Sequence, residues 1–511
     1  MESKSIFSQE KNQGFERTYQ NLALLSMVSV FLYTALRAHL LSMSHDESLS
    51  YLFFVRFTKS FWDVATYKIA TTNNHLLNSL LMRVTTHWFG ENELAIRMPN
   101  LFGHLLFLTG IYQTLRLFLK GPYLFIGTLL IIFQPFPLDY FTCARGYGLG
   151  LGFMSIGLYF YFKTLAIENF PKKALWLFLS FFMFAFSGFS NLAFLNVLLA
   201  LILSLIIAEF LFMENFFKKM KEIISLLTIT VIPNFILLAT VYAKPIQKLK
   251  EAKEFYHGGT GGFWKDTVGS LITSWVYGKD YPSTINLAVS TLIVIVLIMA
   301  VLYIFQIVKG KNEIKYSDRL LISVFLILFF SSASIWTQHV VLGTVFPYDR
   351  AAIYFIPIFL LLLLLIWNKT LEFKNKLIST LIANVTALLI IHSLLCLNLT
   401  HFFANKPDAH TKQAVETMAK LTENKNIPDG SLRIGVQWWF EPAVNFYLIK
   451  NNLKRFLFVD RKGFDEPFDF YYVREEDKWV IDKLNLKVLK HYDVYPAYLA
   501  VPQNSPFTAE S

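Results

Sequence analysis

The stretch NLALLSMVSVFLYTALRAHLLSMSHDESLSY, Asn21 to Tyr51, decides how the rest of the chain is read. Its first part, Asn21 to Leu41, is an apolar run long enough to cross a hydrocarbon core roughly 30 Å thick as an α-helix. The run stops abruptly, and His45, Asp46 and Glu47 follow within a few residues. Two carboxylates just beyond the edge of an oil-soluble segment need a reason to be there, because ionisable groups near a bilayer are costly unless they face water or a partner.

Runs of similar length recur along the 511 residues, of which 54% are hydrophobic and only 16% charged. Soluble domains carry about 25% charged residues. The pattern predicts an all-α polytopic membrane bundle of about eleven transmembrane helices. After Asn21–Leu41 the spans are expected near 98–118, 122–138, 146–166, 174–189, 193–213, 222–242, 284–308, 320–341, 353–367 and 378–398. The first run follows a polar segment with Lys4, Lys11 and Arg17 and lacks a small-residue cleavage site, so it reads as a retained anchor.

The formal net charge of +11 sits largely in short loops. Arg116 and Lys120, then Lys163, Lys172 and Lys173, then Lys218, Lys219 and Lys221 mark every second connection. Lys309, Lys311, Lys315 and Arg319, then Lys369, Lys374 and Lys376, continue the set. This is the marking of cytoplasmic loops, not of a nucleic-acid surface, so no nucleic-acid partner is expected. The N-terminal segment, 1–19, is then cytoplasmic, and 20–400 form the membrane module. Long outer loops fall at 42–97 and 243–283. From 401 to 511 the composition turns polar, with short apolar runs SLRIGV, RFLFVD, FDFYYV and AYLAV. This predicts a small extracytoplasmic α/β domain, in a protein of the bacterial inner membrane. The two cysteines, Cys143 and Cys396, offer no disulfide framework.

The outer loops concentrate unusual groups: His45, Asp46 and Glu47; Asn73, Asn74 and His75; Asp139 and Arg145; Tyr348, Asp349 and Arg350. Each alone fits an ordinary role. Acids cap helices, arginines anchor at headgroups, and a lone histidine is commonly a hydrogen-bonded structural residue. The glycines of RGYGLGLG, with no strand before them, suit close helix packing. HGGTGG, His257 to Gly262, reads as a flexible loop. NNHLLNSLLMRVTTHW has apolar residues at helical spacing and predicts an amphipathic interfacial helix, with a second expected over Leu49–Phe61. Taken together, a carboxylate beside arginines suits transfer to a hydroxyl: the acid takes the proton and the arginines hold a phosphate leaving group.

These residues resemble the GT-C superfamily of integral membrane glycosyltransferases, close to the protein O-mannosyltransferases and lipid A aminoarabinose transferases. Asp46 and Glu47 match the acidic pair of its first outer loop. Asn74, His75, Phe89, Gly90, Arg97 and Pro99 match its next conserved stretch, with Leu76 and Leu77 in place of prolines. CARGYGLGLGF resembles the start of its fourth span, with Cys143 at the position of a glutamate, and Arg350 and Pro357 match a late segment. The resemblance implies a polyprenyl-phosphate sugar donor, transfer with inversion, and a lipid, glycan or protein acceptor. In that frame Asp46 is the general base, Glu47, Asn74 and His75 position substrate, and Asp139 supplies a second carboxylate. Arg145 and Arg350, with Tyr348 beside them, bind donor. His45, Asp46, His75 and Asp139 could hold a divalent cation, and no metal ligand is assigned. A transporter or flippase of lipid-linked saccharides is the alternative function.

Overall fold

The structure is a computed structural model describing residues 2–212, 216–255, 257–310, 314–423 and 425–508, with side chains described from residue 14 and not for 212–219. Lys311, and the side chains of Lys4, Lys11, Lys218 and Lys219, lie outside the described residues.

Among the described residues nine helices are long and apolar enough to cross a membrane, or ten if the pair Gly121–Ile132 and Pro135–Thr142 counts as one span bent by 62°. The bend has a local cause. Pro135 and Pro137 lack backbone N–H donors, and the residue before a proline is pushed out of the helical region. Gln134 accordingly takes ψ 118°. The expected span at 146–166 forms the helix Tyr147–Thr164, which falls outside the group of nine and packs between Glu93–Leu115 and Phe170–Ser190. Its glycines serve packing: a Cβ at Gly148 or Gly152 would overlap the backbone of Tyr140 or Gly103. The chain is thus a polytopic helical membrane protein with a small C-terminal α/β region.

The segment between the first two membrane helices carries three short helices, His45–Tyr51, Phe61–Ala65 and Leu76–Phe89. No single helix covers Leu49–Phe61, because the first widens into a π-turn at Leu52–Arg56 and breaks before Ser60 caps the next. Leu76–Phe89 is the expected amphipathic helix. It buries Leu76, Met82 and also Asn78 and Ser79 against the bundle, while Trp88 and Phe89 are exposed. Phe57, Phe61 and Trp62 are exposed as well, in keeping with residues that seat in headgroups.

Four strands form the C-terminal sheet: β1 (Ile434–Val436), β2 (Phe470–Arg474), β3 (Leu486–Tyr492) and β4 (Ala497–Pro502), in the order β1-β2-β4-β3. β1 and β2 are parallel and the other pairs antiparallel. Three of the predicted apolar runs become β1, β2 and β4. The fourth, RFLFVD, makes only an isolated bridge from Phe456 to Leu432. β3 is a sheet edge whose middle residues are largely solvent-facing, so it carries almost no apolar signal.

This domain is fastened onto the segment that follows the first membrane helix. Tyr447 Oη accepts from Met43 N at 2.8 Å, Asp408 Oδ2 accepts from His45 N at 2.8 Å, and His45 Nδ1 donates to Trp439 O at 2.6 Å. Lys412 pairs with Glu93 at 3.2 Å and Lys450 pairs with the same carboxylate. Met43, Tyr51, Leu52 and Ala144 share one apolar cluster with Phe440, Phe446 and Tyr447. The segment carrying Asp46 is therefore clamped between the bundle and the C-terminal domain.

Candidate functional site

The helix His45–Tyr51 begins with a capping box. Glu47 N donates to Ser44 Oγ at 3.4 Å, and Glu47 Oε2 accepts from Ser44 N at 3.0 Å. Two orphan N–H groups are satisfied and the first turn is fixed. Adjacent helical residues point about 100° apart, so the two acids separate. Asp46 faces a cavity of about 540 Å³. Glu47 turns inward and is fully buried.

Asp46 Oδ2 lies 3.2 Å from Arg350 Nη2 and 3.4 Å from Arg145 Nη2. Burial alone would raise its pKa, but the two guanidiniums outweigh burial and hold the carboxyl well below the usual carboxylate range. Arg145 is itself oriented by Ser50 Oγ at 3.3 Å and by Asn73 Oδ1. Arg350 comes from a tight turn whose preceding residue, Asp349, has φ 41°, in the left-handed region, with its N–H tied to Ser270 Oγ at 2.8 Å. A non-glycine residue held there stores strain, a pattern that clusters at functional sites.

Asn74 and His75 line the same cavity. Asn74 is held by its Nδ2 donating to Val64 O at 3.0 Å and its backbone carbonyl accepting from Tyr67 Oη at 2.7 Å. His75 Nδ1 meets Asn191 Nδ2 at 3.1 Å, which makes Nδ1 the acceptor and leaves the proton on Nε2. Burial first, and then the two arginines, hold His75 well below its ordinary pKa. The structure thus brings Asp46, Asn74, His75, Arg145 and Arg350 around one space.

Three of the sequence-derived candidates sit elsewhere. Glu47 does not reach the cavity. Its Oε1 accepts from Arg97 Nε at 2.8 Å and Ala144 N at 2.7 Å, and its Oε2 from Arg97 Nη2 at 2.9 Å. Burial raises its pKa, and the charge and hydrogen bonds of Arg97 more than reverse this. Asp139 is also withdrawn. Its Oδ1 pairs with Arg37 at 2.7 Å and accepts from Tyr277 Oη at 2.8 Å, and its Oδ2 accepts from Phe403 N at 2.8 Å. Tyr348 is 43% exposed and does not line the cavity. Among the described residues no group of three or more His, Cys, Asp or Glu is arranged to hold a metal ion. Asp139 is engaged with Arg37 and His45 with Trp439, so the four-residue cation set is not assembled.

The cavity also has walls the sequence did not announce. Glu254, His257 and Gln338 come from later segments, and Trp438 and Arg461 from the C-terminal domain. Asn196 and Gln338 carried a weak signal, as amides inside apolar spans. Trp438 and Arg461 carried none, because their place depends on how the domain docks.

No family model matches the chain, and no curated protein matches it. Solved structures resemble it at low identity. ArnT from Cupriavidus metallidurans bound to undecaprenyl phosphate is 11% identical, over 95% of this chain and 98% of that one, with a TM-score of 0.44. The oligosaccharyltransferase of Archaeoglobus fulgidus in complex with Zn and sulfate is 11% identical, over 82% of this chain and 61% of that one, with a TM-score of 0.47. Archaeal oligosaccharyltransferase AglB from Archaeoglobus fulgidus, with an inhibitory peptide and a dolichol-phosphate, is also 11% identical and has a TM-score of 0.42.

Proposed function

We propose that the chain is a GT-C-type membrane glycosyltransferase that moves a sugar from a polyprenyl-phosphate donor to an acceptor hydroxyl on the extracytoplasmic face, with inversion. The observation that carries this reading is one carboxylate, Asp46, set between two arginines in a cavity at the end of the apolar spans.

The chemistry follows from the charges. Arg145 and Arg350 bind the phosphate of the donor by charge-assisted bonds. The acceptor oxygen attacks the anomeric carbon from the face opposite the phosphate. A C–O bond forms, the bond to the phosphate oxygen breaks, and its electron pair leaves on the polyprenyl phosphate. The acceptor proton passes to Asp46, and His75 Nε2–H holds the sugar or acceptor by a hydrogen bond. A carboxylate paired with two arginines is a weak base. The donor corrects this: its phosphate competes for both guanidiniums and adds negative charge beside Asp46, so the carboxyl's proton affinity rises when donor is bound. Arginines that neutralise the departing phosphate also gain strength as its charge grows, which is where catalysis needs them. Glu47 acts at one remove. Through Ala144 N and Arg97 it fixes the backbone next to Arg145.

Replacing Arg145 or Arg350 with Ala should weaken donor binding, since a hydrogen bond to a charged group contributes about 1.5–3 kcal/mol, or roughly 10- to 100-fold. Lys should restore part of it, lacking the planar fork. Titration of each purified variant with polyprenyl phosphate reads this directly, and unchanged affinity in both Ala variants would make the arginines interfacial anchors.

The alternating basic loops support an N-terminus inside and a C-terminal domain outside, in the bacterial inner membrane. A reporter fused near residue 420 should be active only in a form that requires export. A cytoplasmic signal there contradicts the placement of the cavity on the outer face.

A transporter or flippase needs polar groups along a path through the bundle. At the end opposite the cavity, the charged groups Lys173 and Glu209, and Lys369 and Asp318, are buried in pairs with each other, which favours a site open on one side.

A further inference from the structure

A second cavity, of about 470 Å³, adjoins the one that holds Asp46 and lies between the segment Leu49–Phe57 and the C-terminal domain. Leu49 and Arg461 line both, so the two spaces meet at these side chains. The walls set flat apolar faces beside planar polar groups. Trp438 is 45% exposed and lines the Asp46 cavity, and its ring stands edge-on to His45, the residue before Asp46, with centroids 5.4 Å apart. Phe57 and Phe458 line the second cavity and are 57% and 62% exposed. The same domain buries Phe440, Phe446 and Tyr447 completely, so its open aromatic faces are confined to other places, this cleft among them. Beside them Arg461 Nε donates to Glu441 Oε2 at 3.2 Å, and Asn445 Nδ2 donates to Glu441 Oε1 at 2.9 Å. Among the described residues the Nη groups of Arg461 have no hydrogen-bond partner in the protein.

A sugar ring has a face of C–H groups and an edge of hydroxyls. Aromatic faces take the first, and planar donors and acceptors take the second. Two other occupants fit this cleft less well. An acyl chain would lie against the Arg461–Glu441 pair and strip water from both charges, which is costly. An extended peptide pairs with a free backbone edge. The loop in the outer wall has none to give: Val459 N and O are both held by the Asn445 side chain, at 2.8 and 2.9 Å, and Leu457 N by Leu432 O at 2.9 Å.

We infer that the acceptor is a glycan. Its terminal ring lies against Trp438 with a hydroxyl at Asp46, and the rings behind it pass Arg461 and run along Phe458 and Phe57. The C-terminal domain is then the part of the protein that selects the acceptor, while the membrane module holds the donor. This rests on the glycosyltransferase reading above and adds the acceptor's chemistry to it.

The test gives the purified full-length protein in nanodiscs polyprenyl phosphate carrying a labelled sugar, with an envelope extract as acceptor. Partial acid hydrolysis of the product should release labelled disaccharides, because the new bond is to another sugar. Partition of the labelled glycan into the organic or the aqueous phase tells a lipid-borne glycan from a free one, and either upholds the inference. Trp438→Ala should raise the acceptor concentration needed for half-maximal transfer at least about tenfold, the loss typical of truncating an aromatic anchor, while polyprenyl phosphate binds as before. Trp438→Phe keeps a flat face and should restore part of the loss. Label joined to a serine or threonine, or to a lipid with no second sugar, overturns the inference and leaves the glycosyltransferase reading standing. So does an unchanged acceptor requirement in a folded Trp438→Ala protein. Label that never leaves polyprenyl phosphate overturns both. The wild-type product decides the matter even where Trp438→Ala does not fold.

Discussion

Replacing Asp46 with Asn is expected to lower sugar transfer by about 10²–10⁴-fold, the contribution general-base catalysis makes elsewhere. Asn keeps the shape and can still accept a hydrogen bond, but it cannot take up the acceptor proton. The same substitution should leave donor binding undiminished and make it tighter. The carboxylate now neutralises Arg145 and Arg350 at 3.4 and 3.2 Å, and a phosphate must compete with it for them. Removing the competitor frees both arginines. Opposite signs on turnover and on affinity distinguish a base from a residue that merely holds substrate. Single-turnover transfer and donor titration on one purified sample measure both. Near-normal transfer by Asp46→Asn would remove it as the base, and weaker donor binding would undo the competition argument.

The second large effect is on stability. Arg97 is fully buried and spends its guanidinium on Glu47 and on three backbone carbonyls, Ala38 and Leu41 from Nη1 at 3.0 and 2.8 Å and Ser42 from Nη2 at 2.9 Å. It closes the end of the first span and braces the loop that follows. Glu47→Ala leaves this charge buried without its counter-ion, which costs about 3–5 kcal/mol. Glu47→Gln keeps the shape but also leaves Arg97 without its counter-ion and turns one acceptor oxygen into a donor facing other donors, so it should cost a comparable amount. Glu47→Leu combined with Arg97→Leu should be milder than either single change, because no buried charge is then stranded. Thermal unfolding in detergent reads the series. Single variants that melt with the wild-type protein would mean the pair is not needed to hold the loop.

These two acids mark where the sequence was legible and where it was not. Most of the spans were, because length and apolarity are written into their runs, although Tyr147–Thr164 falls outside that group and is buried between its neighbours. Asp46, Arg145 and Arg350 were too, since charges at the ends of apolar runs stand out. Glu47 was misread because neighbours in sequence are not neighbours in space on a helix. The rotation of about 100° from one residue to the next sends Asp46 to the cavity and Glu47 to Arg97. The same holds for Asp139, whose partner Arg37 lies on the first span and is met only once the bent pair folds back against it. Arg97, inside an apolar helix, was the signal for Glu47's partner. β3 was missed because an edge strand with exposed middle residues needs few apolar side chains. The amides of the cavity wall were legible only in part: Asn74 stood out beside His75, and Asn196 and Gln338 stood out as amides inside apolar spans, but Asn191 gave no sign until the bundle set it against His75.

The most direct test of the central claim follows the label on the donor. Purified protein is reconstituted in vesicles with polyprenyl phosphate carrying a sugar labelled at the anomeric carbon, and a membrane extract supplies the acceptor. The account predicts that the label leaves the lipid, that free polyprenyl phosphate appears in equal amount, and that Asp46→Asn abolishes both while still binding the lipid. Label that stays on the lipid and crosses the bilayer intact would contradict it and make the protein a flippase.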